Sequence, residues 1–441
     1  MDRLVLTGQE PALPSSFAVG TAAQAAVAVA ALAATEVGRH RNTLVQQVRV
    51  DMRAAAAECS GWFSIDGRVP EPWDKLSGLY RCADGWVRVH ANFEHHRDGA
   101  LRLLGLPAGQ DTPRSAMAAA VAQRGAVELE DAAAEAGLVI AASRSFEQWD
   151  AHPQALALAA QPLIDFLRIG DAPPQVLPPL PHDAQPLSGV RVLDLTRILA
   201  GPICGRTLAA HGADVMLVNS PQLPNIESVI DTSRGKLSCH ADLRTAAGQE
   251  ALTALVRGAA VFVQGYRPGG LTALGFGPEQ TAVLRPGIVH VSLSAYGYAG
   301  PWAERRGFDS LVQTAAGFNH AEMHAAGSDK PKALPAPILD YATGFLMAFA
   351  AQSALMRQQR EGGSWHVQLS LARTAAWLRS LGRVADGFAA AALAPSDRAQ
   401  RYDSGWGELL AIEHAGQLER TPTRWQRPSM PPGTHPPRWP T

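Results

Sequence analysis

The chain has 441 residues, of which 46% are hydrophobic, and its formal net charge is −1. That length exceeds the usual size of one domain and predicts two lobes with a large core. A net charge this close to zero argues against nucleic acid or an anionic membrane as a partner. Charged residues make up only 18% of the chain, which indicates extensive buried contact, such as contact with a second subunit of a homodimer.

The cysteines and the N-terminus favour a cytoplasmic protein. Cys59, Cys82, Cys204 and Cys239 are scattered and lack the spacing of a zinc site, so buried thiols in a reducing compartment are expected. Residues 1–14 have no apolar stretch, so no signal peptide is expected. The Ala-rich run that follows is shorter than a membrane-spanning helix, which needs about 20 residues. We therefore interpret it as a packed helix.

The N-terminal part of the chain predicts a small α+β lobe over residues 1–170. An Ala-rich helix is expected from Phe17 to Glu36, followed by a weak strand from Val45 to Met52. Residues 80–91 predict a hairpin, because two β-rich runs flank the turn signal Asp84-Gly85. After the hairpin, helices are expected over 97–104 and 115–136, and a strand is expected over 138–141.

A stiff, extended linker over residues 171–186 is expected to follow, because this stretch contains six prolines. Beyond it, apolar strands alternate with helices over residues 187–385, which predicts an α/β lobe with a parallel sheet. The strands are expected at 190–195, 214–218, 260–264 and 288–294. Ligands of such sheets bind beyond the carboxyl ends of the strands. Residues 386–441 are expected to form an irregular tail.

Asp340 is the main candidate for chemistry. It precedes an apolar helix that is expected over 341–357. An aspartate there is a good helix N-cap. Equally, it is a carboxylate nucleophile that needs no general base, because aspartate ionises near pH 4 and a helix N-terminus favours its anion. The two roles are compatible, and the residue types alone leave both open.

Three basic turns fall at loop ends of the predicted α/β lobe. They are Arg305-Arg306, Arg234-Gly235-Lys236 and Tyr266-Arg267. Each is either a solvated surface turn or an anion site, and together they suit a ligand that carries phosphate groups. No metal site is expected, since His95-His96 beside Glu94 do not have a metal-ligand pattern.

A weak internal repeat connects the two ends of the chain. Ser16 precedes an Ala-rich helix, then a strand and another helix, and Asp340 precedes the same pattern. The repeat predicts two copies of one supersecondary unit that pack as pseudo-equivalents. Ser16 stands where Asp340 stands in the second copy.

A series of motifs in the second lobe carries a family resemblance. They are LSGVRVLDLTRILAGP (187–202), HGADV (211–215), SRGKLSCHADL (233–243), YRPGGLTALGFG (266–277), RPGIVHVSLSAYGYAGP (285–301), RGFDSLVQTAAGF (306–318) and ILDYATG (338–344). The series resembles the family III CoA-transferases, which include formyl-CoA and carnitine CoA-transferases and the related α-methylacyl-CoA racemases. The resemblance implies a Rossmann-like lobe that binds coenzyme A as a substrate, in an interlocked homodimer without a permanently bound cofactor.

The resemblance also implies roles for individual residues. Asp340 matches the nucleophile that moves CoA from an acyl-CoA donor to a carboxylic acid through an aspartyl-CoA thioester. Ile198 and Leu199 match the turn beside the pantetheine, and Arg306 matches a basic position near the CoA phosphates. We assign the other basic residues of the three turns, Arg234, Lys236 and Arg267, to CoA binding as well.

Phe308 and Asp309 are also assigned to the binding site for substrate and CoA, and they help to choose within the family. Racemases of this type carry histidine where Phe308 stands, as a second acid–base group opposite the aspartate. Phenylalanine transfers no proton, so Gly307-Phe308-Asp309 favours a transferase over a racemase. His320 or His324 would substitute for the missing histidine only if the loop folds back.

The order of the two halves differs from the family pattern. Residues 1–165 resemble the family's second half, through Gly78–Trp86 and Phe146–Pro153, yet here they precede the Rossmann-like half. Because Ser16 replaces the aspartate of the first copy, Asp340 is left as the nucleophile. The rearranged order and several missing basic positions leave a second hypothesis open, a degenerate CoA-binding or assembly protein. A racemase is the third.

Overall fold

The computed structural model describes residues 3–440. The strands are β1 Leu4–Thr7, β2 Val48–Asp51, β3 Phe63–Ile65, β4 Gly78–Arg81, β5 Trp86–Val89, β6 Ile140–Ala142, β7 Asp165–Gly170, β8 Arg191–Leu195, β9 Asp214–Asn219, β10 Lys236–His240, β11 Val261–Gln264, β12 Val289–Ser294, β13 Ser364–Ser370, β14 Ala399–Tyr402, β15 Leu409–Ile412 and β16 Gly416–Leu418. The α-helices are α1 Val19–Arg39, α2 Met52–Cys59, α3 Glu94–Leu103, α4 Arg114–Val121, α5 Ala126–Glu135, α6 Phe146–Asp150, α7 Pro153–Ala159, α8 Ala200–Ala210, α9 Val229–Thr232, α10 Ala246–Arg257, α11 Pro278–Leu284, α12 Asp309–Ala315, α13 Phe318–Ala325, α14 Ile338–Glu361 and α15 Leu371–Ser380.

A seven-stranded sheet in the order β10-β9-β8-β11-β12-β13-β7 forms the frame of the fold. Its strands are parallel except β7, which pairs antiparallel with β13. The inner strands β8 and β11 are almost continuously apolar and buried, as expected for a parallel sheet that is covered on both faces. All four predicted strands are confirmed within one or two residues, and so is the α/β fold class.

Helix α14 is the central helix of the core. Most of its 24 residues are buried, and it packs against α8 and α1. Its close approach to α8 depends on Gly344, because a Cβ atom there would lie 2.5 Å from the carbonyl oxygen of Ala200. The start of α14 is therefore held firmly against the first helix of the parallel sheet.

The internal repeat is visible in the element order. The series α1-β2-α2 near the N-terminus has the same order as α14-β13-α15, and the two long helices pack along each other. In their interface, the Gln352 amide Nε2 donates to the carbonyl oxygen of Ala30 at 3.1 Å. Helices α1 and α14 are long and apolar enough to cross a membrane by length and composition, but 72% and 89% of their most apolar windows are buried inside the fold. That burial is typical of core helices.

The N-terminal segment does not form a lobe of its own throughout. The predicted hairpin is confirmed as β4 and β5, which pair with β6 in a three-stranded antiparallel sheet. Strand β7, however, joins the seven-stranded sheet. The single helix expected over 115–136 is wrong, because Gly125 separates α4 from α5 and its amide donates to the Glu128 side chain at 3.2 Å.

The C-terminal segment is also more regular than expected. Residues 386–441 were expected to be irregular, yet β14, β15 and β16 lie within them. Strand β15 pairs with β3, and β16 pairs with β2, so this segment closes over the N-terminal part of the chain. Between β7 and β8 the described chain has no helix or strand, as the prolines predict. The four cysteines are free and buried.

Candidate active site

The turn after β8 lies at the carboxyl edge of the sheet. Ile198 has a φ of +76°, a left-handed conformation that is rare for a β-branched residue. The Ser228 hydroxyl donates to the carbonyl oxygen of Ile198 at 3.0 Å, and Leu199 is the N-cap of α8. Strained backbone of this kind is common at ligand sites. The free space beside the turn, bounded by Arg197, Ile198 and Asn225 among others, is about 10 Å³, which is roughly one water molecule.

Two aspartates meet at the start of α14. The backbone N–H of Asp340 donates to Oδ2 of Asp309 at 3.0 Å, and the Gln313 amide donates to the other oxygen of Asp309. Helix α14 begins at Ile338, so Asp340 lies inside its first turn and is not the N-cap. The capping role that the sequence left open for Asp340 is therefore performed in part by Asp309, from α12.

Burial changes the titration of this pair. Burial raises the pKa of Asp309 to about 6. Burial first, and the neighbouring Asp309 carboxylate second, raise the pKa of Asp340 well above its ordinary value. The expectation that Asp340 simply ionises near pH 4 is therefore wrong for the folded protein, in which the two carboxyl groups retain protons to a higher pH.

The N-terminal segment places two imidazole rings beside Phe308, the residue before Asp309. The ring of Phe308 stacks on His90, with their centroids 4.1 Å apart, and the His96 ring lies 6.0 Å from Phe308. Burial lowers the pKa of His90 and that of His96 to about 3, so both rings are neutral. The Nδ1 atom of His90 and both ring nitrogens of His96 are buried and have no partner among residues 3–440.

The sequence did not predict that His90 and His96 lie beside Phe308. It raised His320 and His324 as possible substitutes for the histidine of racemases, but these two lie on α13 with their Nε2 atoms 3.2 Å apart. The signal that could have found His90 is its position just after the hairpin strand β5. Only the tertiary packing of the hairpin against α12 brings it to Phe308.

Arginine residues gather beside the strand ends. Arg197 lies over the Phe93 ring at 5.5 Å. The positive charges of Arg197 and Arg306 both lower the pKa of His96. Burial, and then the nearby Arg267, lower the pKa of Arg306. Arg306 makes no hydrogen bond or ion pair with the part of the chain that the structure describes. A group of three guanidinium ions with an unpaired member suits a phosphate-bearing ligand.

Arg234 and Lys236 are placed elsewhere. Both are about 1% exposed. The Lys236 ammonium donates to Oδ2 of Asp194 and to the carbonyl oxygen of Pro202, each at 2.8 Å. Arg234 pairs with Asp231 and lies 3.9 Å from the Trp425 ring. The charges of this basic turn are satisfied inside the fold, so the structure does not bring these two residues to the strand-end arginines.

Two larger cavities lie away from the strand ends. One, of about 400 Å³, contains four basic side chains, Arg88, Arg114, Lys330 and Lys332. The other, of about 390 Å³, lies beside Ser16 and Arg383. There the Ser16 hydroxyl donates to Oε1 of Glu322 at 2.5 Å.

Asp340 lines none of these three spaces and is 9% exposed. Substrate access to its carboxylate therefore requires movement of the covering side chains. Residues 3–440 contain no cluster of three or more metal-type side chains.

Known proteins are similar to this chain in sequence. A protein of Gibberella moniliformis named acyl-CoA transferase is 32% identical over 317 residues, which cover 67% of this chain and 55% of that protein. The succinate–glutarate CoA-transferase of Agrobacterium fabrum is 34% identical over 211 residues, which cover 44% of this chain and 52% of that protein. The chain thus spans about half the length of the curated relatives it matches.

The chain also matches a solved structure and the profile of a protein family. The crystal structure of Rv3272 from Mycobacterium tuberculosis shares 32% identity and covers 45% of this chain and 57% of that one, with a TM-score of 0.42. The profile of CoA-transferase family III matches residues 4–173 and 187–403. Because these two segments make up most of the sequence, the chain belongs to CoA-transferase family III.

Proposed function

We propose that the protein transfers coenzyme A from an acyl-CoA donor to a carboxylic acid, with Asp340 as the nucleophile. The observation that carries the proposal is the buried Asp309–Asp340 pair at the start of α14, in a chain whose relatives are named as CoA-transferases. No metal or redox group is needed for this exchange, because a carboxylate and a thioester react by acyl transfer alone.

The reaction divides into two matched halves. The Asp340 carboxylate attacks the thioester carbonyl, forms a mixed anhydride and expels CoA thiolate. The thiolate then attacks the aspartyl carbonyl, which releases the donor's carboxylate and leaves an aspartyl-CoA thioester. The acceptor carboxylate repeats these steps in reverse order, so acyl-CoA product and free Asp340 carboxylate are regenerated.

Neighbouring residues support this chemistry in distinct ways. Asp309 holds the backbone amide of Asp340 and, through its charge, raises the basicity of the nucleophile. We assign the phosphate end of CoA to Arg197, Arg267 and Arg306, and the pantetheine to the strained turn at Ile198 and Leu199. Because the space at that turn holds only about one water molecule, CoA binding must open it.

Two other functions are outcomes of the same test. A racemase gains some support from His90, whose neutral ring stacks on Phe308 and is an imidazole that the sequence motif lacks. A CoA-binding protein without turnover remains the alternative motivated by the rearranged halves.

Isotope exchange separates the three functions. The protein is incubated with an acyl-CoA and the radiolabelled free acid of the same acyl group, without a second acceptor. We expect label to enter the acyl-CoA, since the first half-reaction is reversible on its own. Tight CoA binding with no exchange across a broad acyl-CoA panel would overturn the proposal in favour of a binding protein. Uptake of deuterium at the α-carbon without carboxylate exchange would favour a racemase.

The acid pair predicts a pH dependence of stability. In the unfolded chain both carboxyl groups ionise near pH 4. In the folded protein Asp309 ionises at about pH 6, and the pKa of Asp340 is also raised. Between these values the folded protein binds more protons than the unfolded chain. The pair's contribution is therefore complete below pH 4 and is lost as the pH rises through 6. Urea unfolding of wild type and the D309N variant from pH 4 to 8 gives the free energy of unfolding at each pH. The variant should lose less of this free energy over that interval.

The same pair predicts how activity rises with pH on the acid side of the pH–activity profile, the acid limb. Ionised Asp340 is required for attack, so kcat/KM should rise with pH as Asp340 loses its proton. In D309N an amide oxygen still accepts the Asp340 N–H, but the neighbouring charge is gone, so the limb should move to lower pH. A limb that stays in place would show that Asp309 does not tune the nucleophile.

We also propose that the protein is a cytoplasmic homodimer, as the composition and the family resemblance suggest. In the structure one chain supplies both Asp340 and the segment with His90. Light scattering on the purified full chain tests the dimer directly, and a monomer with full activity would contradict it.

A further inference from the structure

The basic cavity is bounded by the β4–β5 hairpin, by the start of α4 and by the loop that precedes α14. Its volume is about 400 Å³, within the range of small-molecule sites. Its cationic side chains are those of Arg88, Arg114, Lys330 and Lys332, and none of the residues that line it within the described chain is acidic. The positive charge of the cavity is therefore not neutralised by its own lining.

Arg88 is the buried member of this group. It is 8% exposed, and its Nε atom is buried without a partner. Its guanidinium lies over the Trp73 ring at 4.5 Å and forms no hydrogen bond or ion pair within residues 3–440. A buried donor without an acceptor is costly to the fold. Because Arg88 lines the cavity, a ligand there can supply the missing acceptors.

Arg114 presents a second guanidinium to the cavity. Its Nη1 atom donates to the carbonyl oxygens of Lys75 and Ser77 at 2.8 and 2.7 Å. These contacts fix the side chain and leave Nη2 without a hydrogen-bond partner in the described part of the chain. Gly78 makes room for this arrangement, because a Cβ atom there would collide with Nη2. The backbone thus holds a free donor at the cavity wall.

The two guanidinium groups repel each other. Burial is the largest cause that lowers the pKa of Arg88 to about 10, and the charge of Arg114 acts in the same direction. The Asp309 carboxylate opposes this shift, but it is held by the Asp340 N–H and the Gln313 amide and does not line the cavity. An anion in the cavity would relieve the repulsion directly.

Two lysines complete the charge from the loop before α14. Lys330 is exposed and Lys332 is half-buried. Neither forms an ion pair with a residue between 3 and 440. The Lys332 ammonium lies 4.1 Å from the centre of the Phe388 ring, a contact that leaves its charge uncompensated. Asp329, the acidic neighbour of Lys330, does not line the cavity.

A phosphate group suits these cations better than a single carboxylate. The four side chains come from three separate segments, so they reach the cavity from different directions. A phosphate monoester carries a charge of about −1.5 to −2 at neutral pH and has three strong acceptor oxygens, and guanidinium groups bind phosphate through paired hydrogen bonds. Leu79, Pro331 and Ala333 also line the cavity and offer apolar surface to a short carbon chain.

We propose that this cavity binds a small phosphate ester, a ligand distinct from coenzyme A. The arginines that we assign to CoA, namely Arg197, Arg267 and Arg306, lie on loops that follow strands of the parallel sheet, and none of them lines the cavity. Asp340 does not line it either, so the ligand binds away from the nucleophile. The site goes beyond CoA transfer, and its occupancy does not depend on turnover.

Calorimetry of the full chain with glycerol 3-phosphate, at constant ionic strength, tests the site. We expect saturable binding of one molecule per chain. The double variant K330Q/K332Q should weaken it about 10-fold, the size expected when two partly exposed ion pairs are removed. The matched control R102Q/R257Q removes two exposed cations that do not line the cavity, and it should bind as wild type does.

Two results would overturn the site. One is the absence of saturable binding of both glycerol 3-phosphate and inorganic phosphate at millimolar concentration. The other is equal binding to wild type and K330Q/K332Q. Glycerate, which has a carboxylate in place of the phosphate group, should bind wild type more weakly because it carries one charge instead of about two. Glycerate that binds as tightly as glycerol 3-phosphate would show that the site does not select phosphate.

CoA is the other source of a phosphate monoester, through its 3′-phosphate. We expect glycerol 3-phosphate to bind the CoA-saturated protein, and K330Q/K332Q to bind CoA as tightly as wild type. If saturating CoA blocks glycerol 3-phosphate and the double variant weakens CoA binding, the cavity holds the CoA phosphate and the inference is wrong. If CoA does not bind at all, the proposed function fails, while the titrations with glycerol 3-phosphate still decide this site.

Discussion

Replacement of Asp340 by asparagine is expected to lower kcat by on the order of 10⁴-fold or more, the size seen when a covalent nucleophile is removed. The amide is nearly isosteric with the carboxylate, but it lacks the negative charge that attacks the thioester. The backbone N–H of residue 340 can still donate to Asp309, so the start of α14 should keep its geometry. Steady-state kinetics and thermal unfolding of D340N measure the two quantities separately.

A matched control uses another aspartate. Asp397 is exposed in a short 3₁₀ helix, Pro395–Arg398, and D397N should retain wild-type kcat. CoA binding by D340N should also persist, because the arginine cluster is untouched. If D340N keeps more than a tenth of the wild-type kcat, Asp340 is not the nucleophile.

Replacement of Lys236 by methionine should cost about 3–5 kcal/mol of unfolding free energy, because it leaves the Asp194 charge buried without its partner. The side chains of both residues are 0% exposed. Helix α8 covers the pair so closely that a Cβ on Gly205 would lie 2.3 Å from Oδ2 of Asp194. Guanidinium unfolding of K236M, monitored by circular dichroism, gives the free energy.

The double variant K236M/D194N provides the control for this loss. Removing both charges should recover part of the stability, since the unpaired carboxylate is then gone. The prediction from sequence was different, because it placed Lys236 in contact with CoA. A folded K236M protein of wild-type stability with a strongly raised KM for acyl-CoA would favour that earlier interpretation.

The parallel sheet was the part of the fold most accessible from sequence. Strands such as β8 and β11 are short apolar runs between turn signals, and buried parallel strands have this pattern. The C-terminal strands were missed for the opposite reason. Strand β15 pairs with β3, more than 300 residues earlier in the chain, and no local pattern reports so distant a partner.

The candidate site was predictable only in part. Two separate motifs indicated Asp340 and Asp309, and neither indicated the direct contact between them that the structure shows. They also did not indicate that burial would raise the pKa of Asp340, since burial is a property of the whole packed core. His90 and Arg88 were also missed, because only the packing of strand β5 against α12 brings His90 to Phe308 and Arg88 within electrostatic reach of Asp309.

The basic turns also show that the sequence alone does not distinguish buried ion pairs from a free anion site. Arg234-Gly235-Lys236 and Arg305-Arg306 look alike as sequence. The first is buried and paired with Asp231 and Asp194, whereas Arg306 lies near Arg267 and has no hydrogen-bond or ion-pair partner within residues 3–440. A charged turn in a sequence therefore predicts an anion site only when its own carboxylate partners are known.

The most direct measurement of the central claim is to trap the loaded carboxylate. The protein is incubated with an acyl-CoA that it turns over, quenched with hydroxylamine, digested and mapped by mass spectrometry. We predict a hydroxamate on the peptide that contains Asp340, absent without acyl-CoA and absent from D340N. Turnover with an unmodified Asp340, or with the modification on another residue, would contradict the account.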